Sequence, residues 1–221
     1  MKYKAIAFDY DGTLVDTYDF HVAVIGQAVR NCGTDITPEA MEKIVRLSLR
    51  GIFDTTLSPE RADEGFKALT ALYDNPNDAF WAPVTVVNHA QETLRALRAA
   101  GMKTGLVTNS MKKLVDASLA HFGFEGLFDD IQAASGDAYT KEERMVALLK
   151  ALKVSPGDTL YVGDGSTDII DAKKVGMDSC LITGPAAWIH GEKQPDLEAL
   201  APDFVITDLD ELLDIAGLRQ G

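Results

Sequence analysis

Two aspartates with one residue between them, Asp9 and Asp11, follow the first apolar segment of the chain. Side chains alternate in extended backbone, so both carboxylates point the same way while Tyr10 points elsewhere. Two carboxylates in one crevice suit a nucleophile and a general acid and base. Gly12 permits a sharp turn that brings backbone N–H groups toward a phosphate. The segment favours phosphate chemistry, and the alternative is the Asp-Gly turn of a hairpin with solvated acids.

A second pair of acids follows the most apolar of the later predicted strands, Thr159–Val162. Asp164 comes directly after this strand, and Asp168 lies four residues further on. Carboxylate oxygens are ligands for hard divalent ions, and Mg²⁺ takes few ligands from a protein. Four carboxylates that converge without a cation would shift their pKa values and repel a phosphate. The pattern indicates a cation site, with a loop and a helix N-cap as the alternative.

The elements that must position these acids alternate between strand and helix from Val84 onward. Short apolar runs predict strands, and amphipathic runs that stop at Gly101 or Gly176 predict helices. This alternation predicts an α/β fold, a doubly wound parallel sheet with helices on both faces. Such sheets bind ligands at the carboxyl ends of their strands, where the aspartates lie. The predicted strands are Tyr3–Phe8, Thr104–Val107, Asp130–Ala134, Thr159–Val162, Cys180–Ile182 and Phe204–Ile206, and the predicted helices are Ala90–Ala100, Met111–His121, Lys141–Leu152, Ile169–Val175 and Leu209–Ile215.

A long insert interrupts the alternation near its beginning. From His21 to about Leu72 the pattern predicts amphipathic helices without a convincing strand, and prolines punctuate the end of the region. We therefore expect two domains. Residues 1–16 and 84–221 form the α/β core, and residues 17–83 form a small inserted α-helical domain.

Composition and charge exclude several classes of protein. The 221 residues are 46% hydrophobic and 25% charged, values that are ordinary for a globular chain. A net charge of −13 without a Lys/Arg cluster disfavours binding to nucleic acid. The apolar runs are far shorter than a membrane span, so we expect no membrane partner. With two cysteines, Cys32 and Cys180, a disulfide framework is not indicated and a cytoplasmic location is expected.

The segment Phe8–Thr17 resembles motif I of the haloacid dehalogenase-like hydrolases, which carry Asp-x-Asp-Gly-Thr after their first strand. The resemblance implies that Asp9 attacks a phosphorus atom to form an aspartyl phosphate. It implies that Asp11 protonates the leaving alcohol and then deprotonates the water that cleaves the intermediate. Family members that break carbon–halogen bonds lack an Asp at the second position, so Asp11 points to phosphate esters.

Two later segments resemble further motifs of the family in the correct order. Leu106–Ser110 resembles motif II, which assigns Thr108 to the phosphoryl oxygens, with Asn109 as a further candidate for phosphate binding. We expect this segment to end a strand and begin a helix, whose free N–H groups would bind an anion. Read alone, it is a helix N-cap.

Tyr161–Asp168 resembles motif IV, a Gly-Asp with a second Asp four residues later. The family then implies a Mg²⁺ ion that is held by Asp9, the backbone carbonyl of Asp11 and Asp164. Asp168 would either bind the ion directly or support the other ligands.

The family also places a lysine before the helix that precedes motif IV, often with a proline after it. Lys141 stands at this point, at a predicted helix start, and is followed by Glu142. A cation there is electrostatically unfavourable unless it has another duty. We therefore predict that Lys141 is the catalytic lysine, which also binds the phosphate. A solvated lysine is the alternative, and Lys150 and Lys112 are the other candidates.

The position of the helical insert between motifs I and II implies a cap that closes over the site, with hinges near Val15–Thr17 and Ala82–Val86. The segment Asp16–His21 resembles the start of the cap in β-phosphoglucomutases, which also carry a His there. His21 is therefore a candidate for substrate binding, with a polar residue on the first cap helix as the alternative. Arg50 is a second candidate, for a substrate anion, or is solvated.

Several other residues are interpreted as structural. The remaining histidines have no metal-ligand spacing, and the two tryptophans are interpreted as packing residues. These residues are His89, His121, His190, Trp81 and Trp188.

The sequence as a whole predicts a Mg²⁺-dependent phosphatase of the phosphoglycolate phosphatase type. Its substrate would be a small phosphorylated metabolite, either phosphoglycolate or a sugar phosphate, and the protein would be a monomer or homodimer. One alternative is a sugar phosphomutase like β-phosphoglucomutase, although the Ser-Arg pair of those enzymes is absent around Arg50-Gly51. The alternative from another class is a non-catalytic protein that binds a phosphate ligand or has a regulatory role.

Overall fold

The chain folds into two compact units. The computed structural model describes residues 2–45, 47, 49–74, 76–135, 139–188 and 197–219, so His190 lies outside the described residues. The larger unit consists of Met1–Asp16 and Val86–Gly221, and the smaller unit is Thr17–Thr85. The larger unit contains all six strands of the main sheet, and the smaller unit is helical.

The main sheet is parallel throughout and has the strand order β5-β4-β1-β6-β7-β8. This order confirms the predicted Rossmann-like fold, because β1 lies in the middle and the chain winds outward on both sides. A separate two-stranded sheet consists of β2 and β3. The strands are β1 Ala5–Phe8, β2 Val15–Asp16, β3 Thr85–Val86, β4 Lys103–Met111, β5 Asp130–Ala134, β6 Thr159–Gly163, β7 Asp178–Ile182 and β8 Phe204–Ile206.

The helices follow the amphipathic runs of the sequence, with small changes at their ends. The predicted helix from Ile169 begins three residues earlier, and the one predicted for Leu209–Ile215 divides into a 3-10 turn and a short α-helix. The helices are α1 Tyr18–Asn31, α2 Pro38–Ile44, α3 Leu49–Thr56, α4 Ala62–Leu72, α5 Asp78–Trp81, α6 Ala90–Ala99, α7 Lys112–His121, α8 Lys141–Leu152, α9 Ser166–Val175, α10 Leu197–Leu200 and α11 Leu212–Ile215; 3-10 turns cover Pro59–Arg61, Pro156–Asp158 and Leu209–Glu211.

The core of the larger unit lies between the sheet and the helices on its faces. Strand β1 is buried at all four positions, as expected for the central strand of a parallel sheet. Gly105 in β4 allows α8 to approach closely, because a Cβ at this position would lie 2.5 Å from Leu148 Cδ2. This packing brings the first residues of α8, including Lys141, toward the carboxyl ends of the strands.

The smaller unit is held together by aromatic side chains. Phe20 stacks on Trp81 with a centroid distance of 5.6 Å and also contacts Phe80. Phe53 packs against Phe66 and covers Gly65 on α4. Trp81 is buried within this cluster and is a packing residue, as predicted.

None of the helices in the described part of the chain combines the length and apolar character that a membrane crossing requires.

Gly65 and Gly26, which lie inside helices of the smaller unit, offer a test of this packing. A Cβ on Gly65 would lie 2.3 Å from Phe53 Cδ1, whereas a Cβ on Gly26 would meet only the flexible end of Arg30, at 3.3 Å, and Met41 Cε, at 3.6 Å. Helix propensity favours Ala over Gly by about 1 kcal/mol. Overpacking costs about 1–3 kcal/mol. We therefore expect Gly65→Ala to lower the free energy of unfolding and Gly26→Ala to leave it equal or higher, as measured by urea unfolding with tryptophan fluorescence. Equal or greater stability of Gly65→Ala would contradict this packing.

Candidate active site

The site lies where three neighbouring strands end. Strand β1 pairs in parallel with β4 on one side and with β6 on the other, so the residues that follow all three strands meet at one edge. The backbone N–H of Asp9 donates to the carbonyl of Val162, 2.8 Å away, which extends the pairing of β1 and β6 by one residue. The predicted motifs I, II and IV are therefore brought together by the order of the strands.

Lys141 reaches this edge from the first turn of α8. Its Nζ lies 2.8 Å from Asp9 Oδ2 and 2.5 Å from Asp168 Oδ1, and all three side chains are buried. Burial lowers the pKa of Lys141, but Asp168 and Asp9 outweigh this effect and raise it well above its usual value. The lysine is therefore a fixed positive charge between two carboxylates. The other two candidates, Lys112 and Lys150, are exposed.

A capping box fixes the start of α8 and hence the position of Lys141. The Thr140 hydroxyl accepts a hydrogen bond from the backbone N–H of Glu143, and the Glu143 carboxylate accepts one from the N–H of Thr140, at 3.2 and 2.8 Å. A capping box satisfies two of the free N–H groups at a helix start. This arrangement shows how the helix begins at Lys141 although no proline follows the lysine.

Three buried carboxylates form one group. Ligand oxygens of Asp9, Asp164 and Asp168 lie within 4.8 Å of one another. Burial raises the pKa of Asp9 to about 7, with a further increase from Asp168 and a partial offset from Lys141. Burial and the two neighbouring carboxylates raise the pKa of Asp164 well above its usual range. Three carboxylates against one ammonium leave a formal excess of two negative charges, which suits a divalent cation.

Both oxygens of Asp164 accept hydrogen bonds from the protein. The Thr13 hydroxyl donates to Oδ1 at 3.1 Å, and the backbone N–H of Trp188 donates to Oδ2 at 2.6 Å. Neither donor was predicted from the sequence as part of the site. Thr13 lies within the quoted motif, but its partner is 151 residues away. Trp188 gave no signal, because the donor is its backbone and not its side chain.

Two glycines make room for the carboxylates. Gly12 has φ +76°, and a Cβ there would lie 2.2 Å from Asp164 Oδ2. A Cβ on Gly163 would lie 2.4 Å from Asp168 Cβ. Asp168 is held from its other side by the backbone N–H of Gly165, which donates to its Oδ2 at 3.0 Å. Gly12 thus lies at the motif I turn, as predicted, and its small size is required by Asp164.

Asp11 is less buried than the three-carboxylate group and its side chain binds hydroxyls. Ser110 Oγ donates to Asp11 Oδ2 at 2.5 Å, and Thr108 Oγ1 lies 3.4 Å from the same oxygen. This pairing brings motifs I and II together at the expected residues and adds Ser110, which was not among the predicted site residues. Participation of the Asp11 backbone carbonyl in metal binding stays a prediction.

The predicted helix Met111–His121 begins one residue later than expected, and Thr108, Asn109 and Ser110 belong to the preceding strand and do not open the helix. Strand β4 continues to Met111, and α7 begins at Lys112. A shift in the pairing of β4 with β5 falls between Val107 and Met111. The Thr108 hydroxyl accepts from the N–H of Ser110, at 3.0 Å, within this irregular strand end. The hydrogen bond between Thr108 and Ser110, which is typical of an N-cap, therefore forms within the end of β4, where the regular pairing with β5 is interrupted.

Asn109 is exposed beside this strand end and contacts a buried arginine. Arg144 Nη1 donates to Asn109 Oδ1 at 3.4 Å and to the carbonyl of Tyr139 at 2.6 Å. Since Arg144 lies one turn after Lys141 on α8, it connects the motif II segment to the residues that precede the lysine. Arg144 is a further contact that the sequence did not indicate.

His21 and Arg50 both belong to the smaller unit. His21 is buried on α1, with its ring against Phe20 at a centroid distance of 5.4 Å. Arg50 is bound to residues of its own unit, to Asp54 at 2.8 Å and the carbonyl of Pro59 at 3.0 Å. Their roles toward a substrate stay predictions.

His89, interpreted from the sequence as structural, pairs with a distant carboxylate. Its Nδ1 lies 2.8 Å from Asp208 Oδ1, and this hydrogen bond raises the pKa of His89 above its ordinary value. Asp210 lies close enough for these three residues to offer metal ligands, and it is bound by Arg219 at 2.6 Å. The 119-residue separation of His89 from Asp208 explains why spacing along the chain gave no indication of this cluster.

Comparison with known proteins agrees with this arrangement. A family model described as haloacid dehalogenase-like hydrolase matches residues 6–182. The phosphoglycolate phosphatase of Vibrio vulnificus (strain YJ016) is 33% identical over 230 residues, covering 96% of this chain and 95% of the relative. The chain belongs to the haloacid dehalogenase-like hydrolases.

Other similar proteins extend the comparison. Pyrophosphatase PpaX of Anoxybacillus flavithermus is 28% identical over 226 residues, covering 99% of each chain. The structure of a predicted phosphatase from Clostridium acetobutylicum has a TM-score of 0.81 at 19% identity, covering 98% of this chain and 99% of the other. CbbY from Rhodobacter sphaeroides, solved with xylulose-(1,5)bisphosphate, has a TM-score of 0.77 at 18% identity, covering 99% and 100%. These two structures show likeness of fold.

The sequence-based predictions of family and enzyme class are thus confirmed. The relatives named phosphoglycolate phosphatase and pyrophosphatase support the predicted phosphatase of this family. The acidic group of Asp9, Asp164 and Asp168 agrees with the divalent metal that haloacid dehalogenase-like phosphatases generally use.

Substitution of Gly12 tests the crowding at the motif I turn. We expect Gly12→Ala to displace Asp164, because the added Cβ and Asp164 Oδ2 occupy the same space. A displacement of about 1 Å can lower activity by about 10²-fold. The matched control is Gly126→Ala, which has a similar φ of +72° but no atom within 4 Å of the added Cβ. Phosphate release from p-nitrophenyl phosphate measures the difference. Similar activity of the two variants would contradict the assigned crowding.

Proposed function

We propose that the protein hydrolyses a small phosphorylated metabolite, with Mg²⁺ as its cofactor, through an aspartyl phosphate on Asp9. The observation that carries this proposal is the buried group of Asp9, Asp164 and Asp168 around Lys141, with Asp11 beside it on the hydroxyls of motif II. A substrate of the phosphoglycolate or sugar phosphate type follows from the resemblance to the relatives.

The donor set fits Mg²⁺. Hard divalent ions prefer carboxylate and carbonyl oxygens, and Mg²⁺ keeps several waters and takes few protein ligands. Asp9, Asp164 and the backbone carbonyl of Asp11 would hold the ion, with Asp168 as a ligand or support. When bound, Mg²⁺ neutralises negative charge on the phosphoryl oxygens and on the carboxylates.

In the proposed first step, a carboxylate oxygen of Asp9 attacks phosphorus. The bond from phosphorus to the ester oxygen breaks, and Asp11 gives a proton to that oxygen so that the alcohol leaves. In the second step Asp11 takes a proton from water, the water oxygen attacks phosphorus, and the bond from Asp9 to phosphorus breaks. Inorganic phosphate leaves, and both aspartates return to their starting state.

The other residues would bind and orient the transferred group. Thr108 is buried at the end of β4 and its hydroxyl is proposed to donate to a phosphoryl oxygen. Lys141 is proposed to keep Asp9 ionised and to balance charge on the phosphoryl group. Gly12 and Asn109 are proposed phosphate contacts. The smaller unit is proposed to be the cap that contacts the leaving group, with His21 and Arg50 as candidate residues.

The size of the rate acceleration supports a role for the whole set of proposed residues and the metal. Enzymes accelerate phosphate monoester hydrolysis by up to ~10²¹. General acid–base catalysis supplies about 10²–10⁴ of this factor. Covalent attack and the balance of charge by the cation and Lys141 must therefore supply most of the remainder.

Substitutions of the two aspartates should separate the nucleophile from the general acid and base. We expect Asp9→Asn to lower phosphate release by roughly 10³-fold or more, since the nucleophile is lost. We expect Asp11→Asn to lower it by about 10²–10⁴-fold. Asp116→Asn is the matched control, because Asp116 forms an exposed pair with Lys112 on α7. The assay uses phosphoglycolate, pyrophosphate, sugar phosphates and p-nitrophenyl phosphate, with Mg²⁺ and with EDTA.

The same assay distinguishes the alternatives. A phosphomutase would retain the phosphoryl group on its substrate and require a bisphosphate activator. A binding protein would release no phosphate from any ester. Release that persists in EDTA, or in folded Asp9→Asn, would contradict the proposed mechanism.

A further inference from the structure

Asp164 is gripped by two segments that lie far apart in the chain. Thr13, from the motif I turn, donates to Oδ1, and the backbone N–H of Trp188 donates to Oδ2. The second contact is short, 2.6 Å, and its acceptor is a carboxylate. Hydrogen bonds to carboxylates are stronger than those between neutral groups. Both motif I and residue 188 therefore orient Asp164.

The segment that carries Trp188 is firmly attached to the sheet. Thr183 follows β7, and its backbone N–H donates to the carbonyl of Ile206 in β8 at 2.8 Å. Gly184 lies close to the residue that follows β8, so that an added Cβ would be 2.8 Å from the carbonyl oxygen of Thr207. The N–H of Ala187 donates to the carbonyl of Gly184 at 3.0 Å, which closes a turn. The strand edge and this turn together deliver the N–H of Trp188 to Asp164.

The same segment packs on the helix that carries Asp168. Ala187 is buried in a cluster with Ile169 and Leu181. Ile169 follows Asp168 directly on α9, and Leu181 lies on β7. A displacement of residues 183–188 would therefore affect both Asp164 and the packing beside Asp168.

The indole of Trp188 lies against the motif I turn. An added Cβ on Gly12 would be 2.7 Å from Trp188 Cδ1 and 2.2 Å from Asp164 Oδ2, so the three residues meet at one point. Backbone and side chain of Trp188 thus make separate contacts at the site. The N–H holds the carboxylate, and the ring packs beside the turn that carries Asp9, Asp11 and Gly12.

We propose that Trp188 is a positioning residue for the divalent metal, acting through Asp164. Packing of the indole against Gly12 keeps the N–H of residue 188 aimed at Asp164 and fixes this carboxylate in a single orientation. The inference rests on the proposed function, in which Asp164 is a metal ligand. It assigns a role to residues 183–188, which lie outside the motifs quoted for the family.

Truncation of the indole should weaken metal binding in a protein that still folds. Partners that orient metal ligands typically contribute 10–100-fold to metal affinity. We expect Trp188→Ala to bind Mn²⁺ about 10–100-fold more weakly than the parent, as measured by isothermal titration calorimetry without substrate. Trp188→Phe retains an aromatic ring and should recover most of the affinity. Trp81→Phe is the matched control, since Trp81 packs within the smaller unit, and should bind as the parent does.

Fluorescence provides a second measurement, in which residues 183–188 are unaltered. The chain has two tryptophans, so Trp81→Phe leaves Trp188 as the sole indole. We expect the emission of this variant to change on addition of Mn²⁺ or Mg²⁺, and the emission of Trp188→Phe to stay unchanged. This measurement still tests the proposal if Trp188→Ala fails to fold.

The outcomes separate this proposal from the proposed function. Metal affinity in folded Trp188→Ala equal to that of the parent, or Trp188 emission that is insensitive to a bound metal, would overturn the role of Trp188 alone. A parent protein that binds no divalent ion would overturn both, because Asp164 would then have no metal to hold. A loss of affinity in Trp188→Ala with recovery in Trp188→Phe would support the proposal.

Discussion

The arrangement of this candidate active site depends on one buried contact, in which the ammonium of Lys141 lies between the carboxylates of Asp9 and Asp168. Burial of a carboxylate is costly unless it is paired, and here three carboxylates share one small volume. The lysine makes this crowding tolerable, and the remaining negative charge suits a divalent cation. It also connects the start of α8 to the end of β1 through Asp9 and to the first turn of α9 through Asp168, so that two ion pairs link three elements of the fold.

The parallel sheet supplies the geometry for this contact. Because β1 lies between β4 and β6, the segments that follow these three strands lie side by side at one edge of the sheet. Close approach then requires glycine at two positions, Gly12 beside Asp164 and Gly163 beside Asp168. The segment after β7 completes the arrangement through the N–H of Trp188, which holds the far side of Asp164. The proposed chemistry thus uses four of the six strand ends.

Much of this site could be predicted because its residues lie close together in short segments. Asp9, Asp11 and Gly12 lie in one short segment, Asp164 and Asp168 lie four residues apart where β6 leads into α9, and α8 begins at Lys141 as the sequence predicts. Contacts between distant segments were not predicted, because residues that lie far apart in the chain show no characteristic spacing. Ser110 meets Asp11 across 99 residues, and the N–H of Trp188 is a backbone donor that every residue type except proline provides. The irregular end of β4 was missed because Thr-Asn-Ser is also a favourable helix N-cap.

The most direct test of the proposed mechanism is to find the residue that carries the phosphoryl group during turnover. The enzyme is mixed with substrate and Mg²⁺, quenched in acid and reduced with tritiated borohydride, which converts an aspartyl phosphate to labelled homoserine. Peptide mapping then locates the label. The mechanism predicts labelled homoserine at position 9 that disappears when substrate is omitted. Label at another residue, or rapid turnover without any label, would contradict Asp9 as the nucleophile.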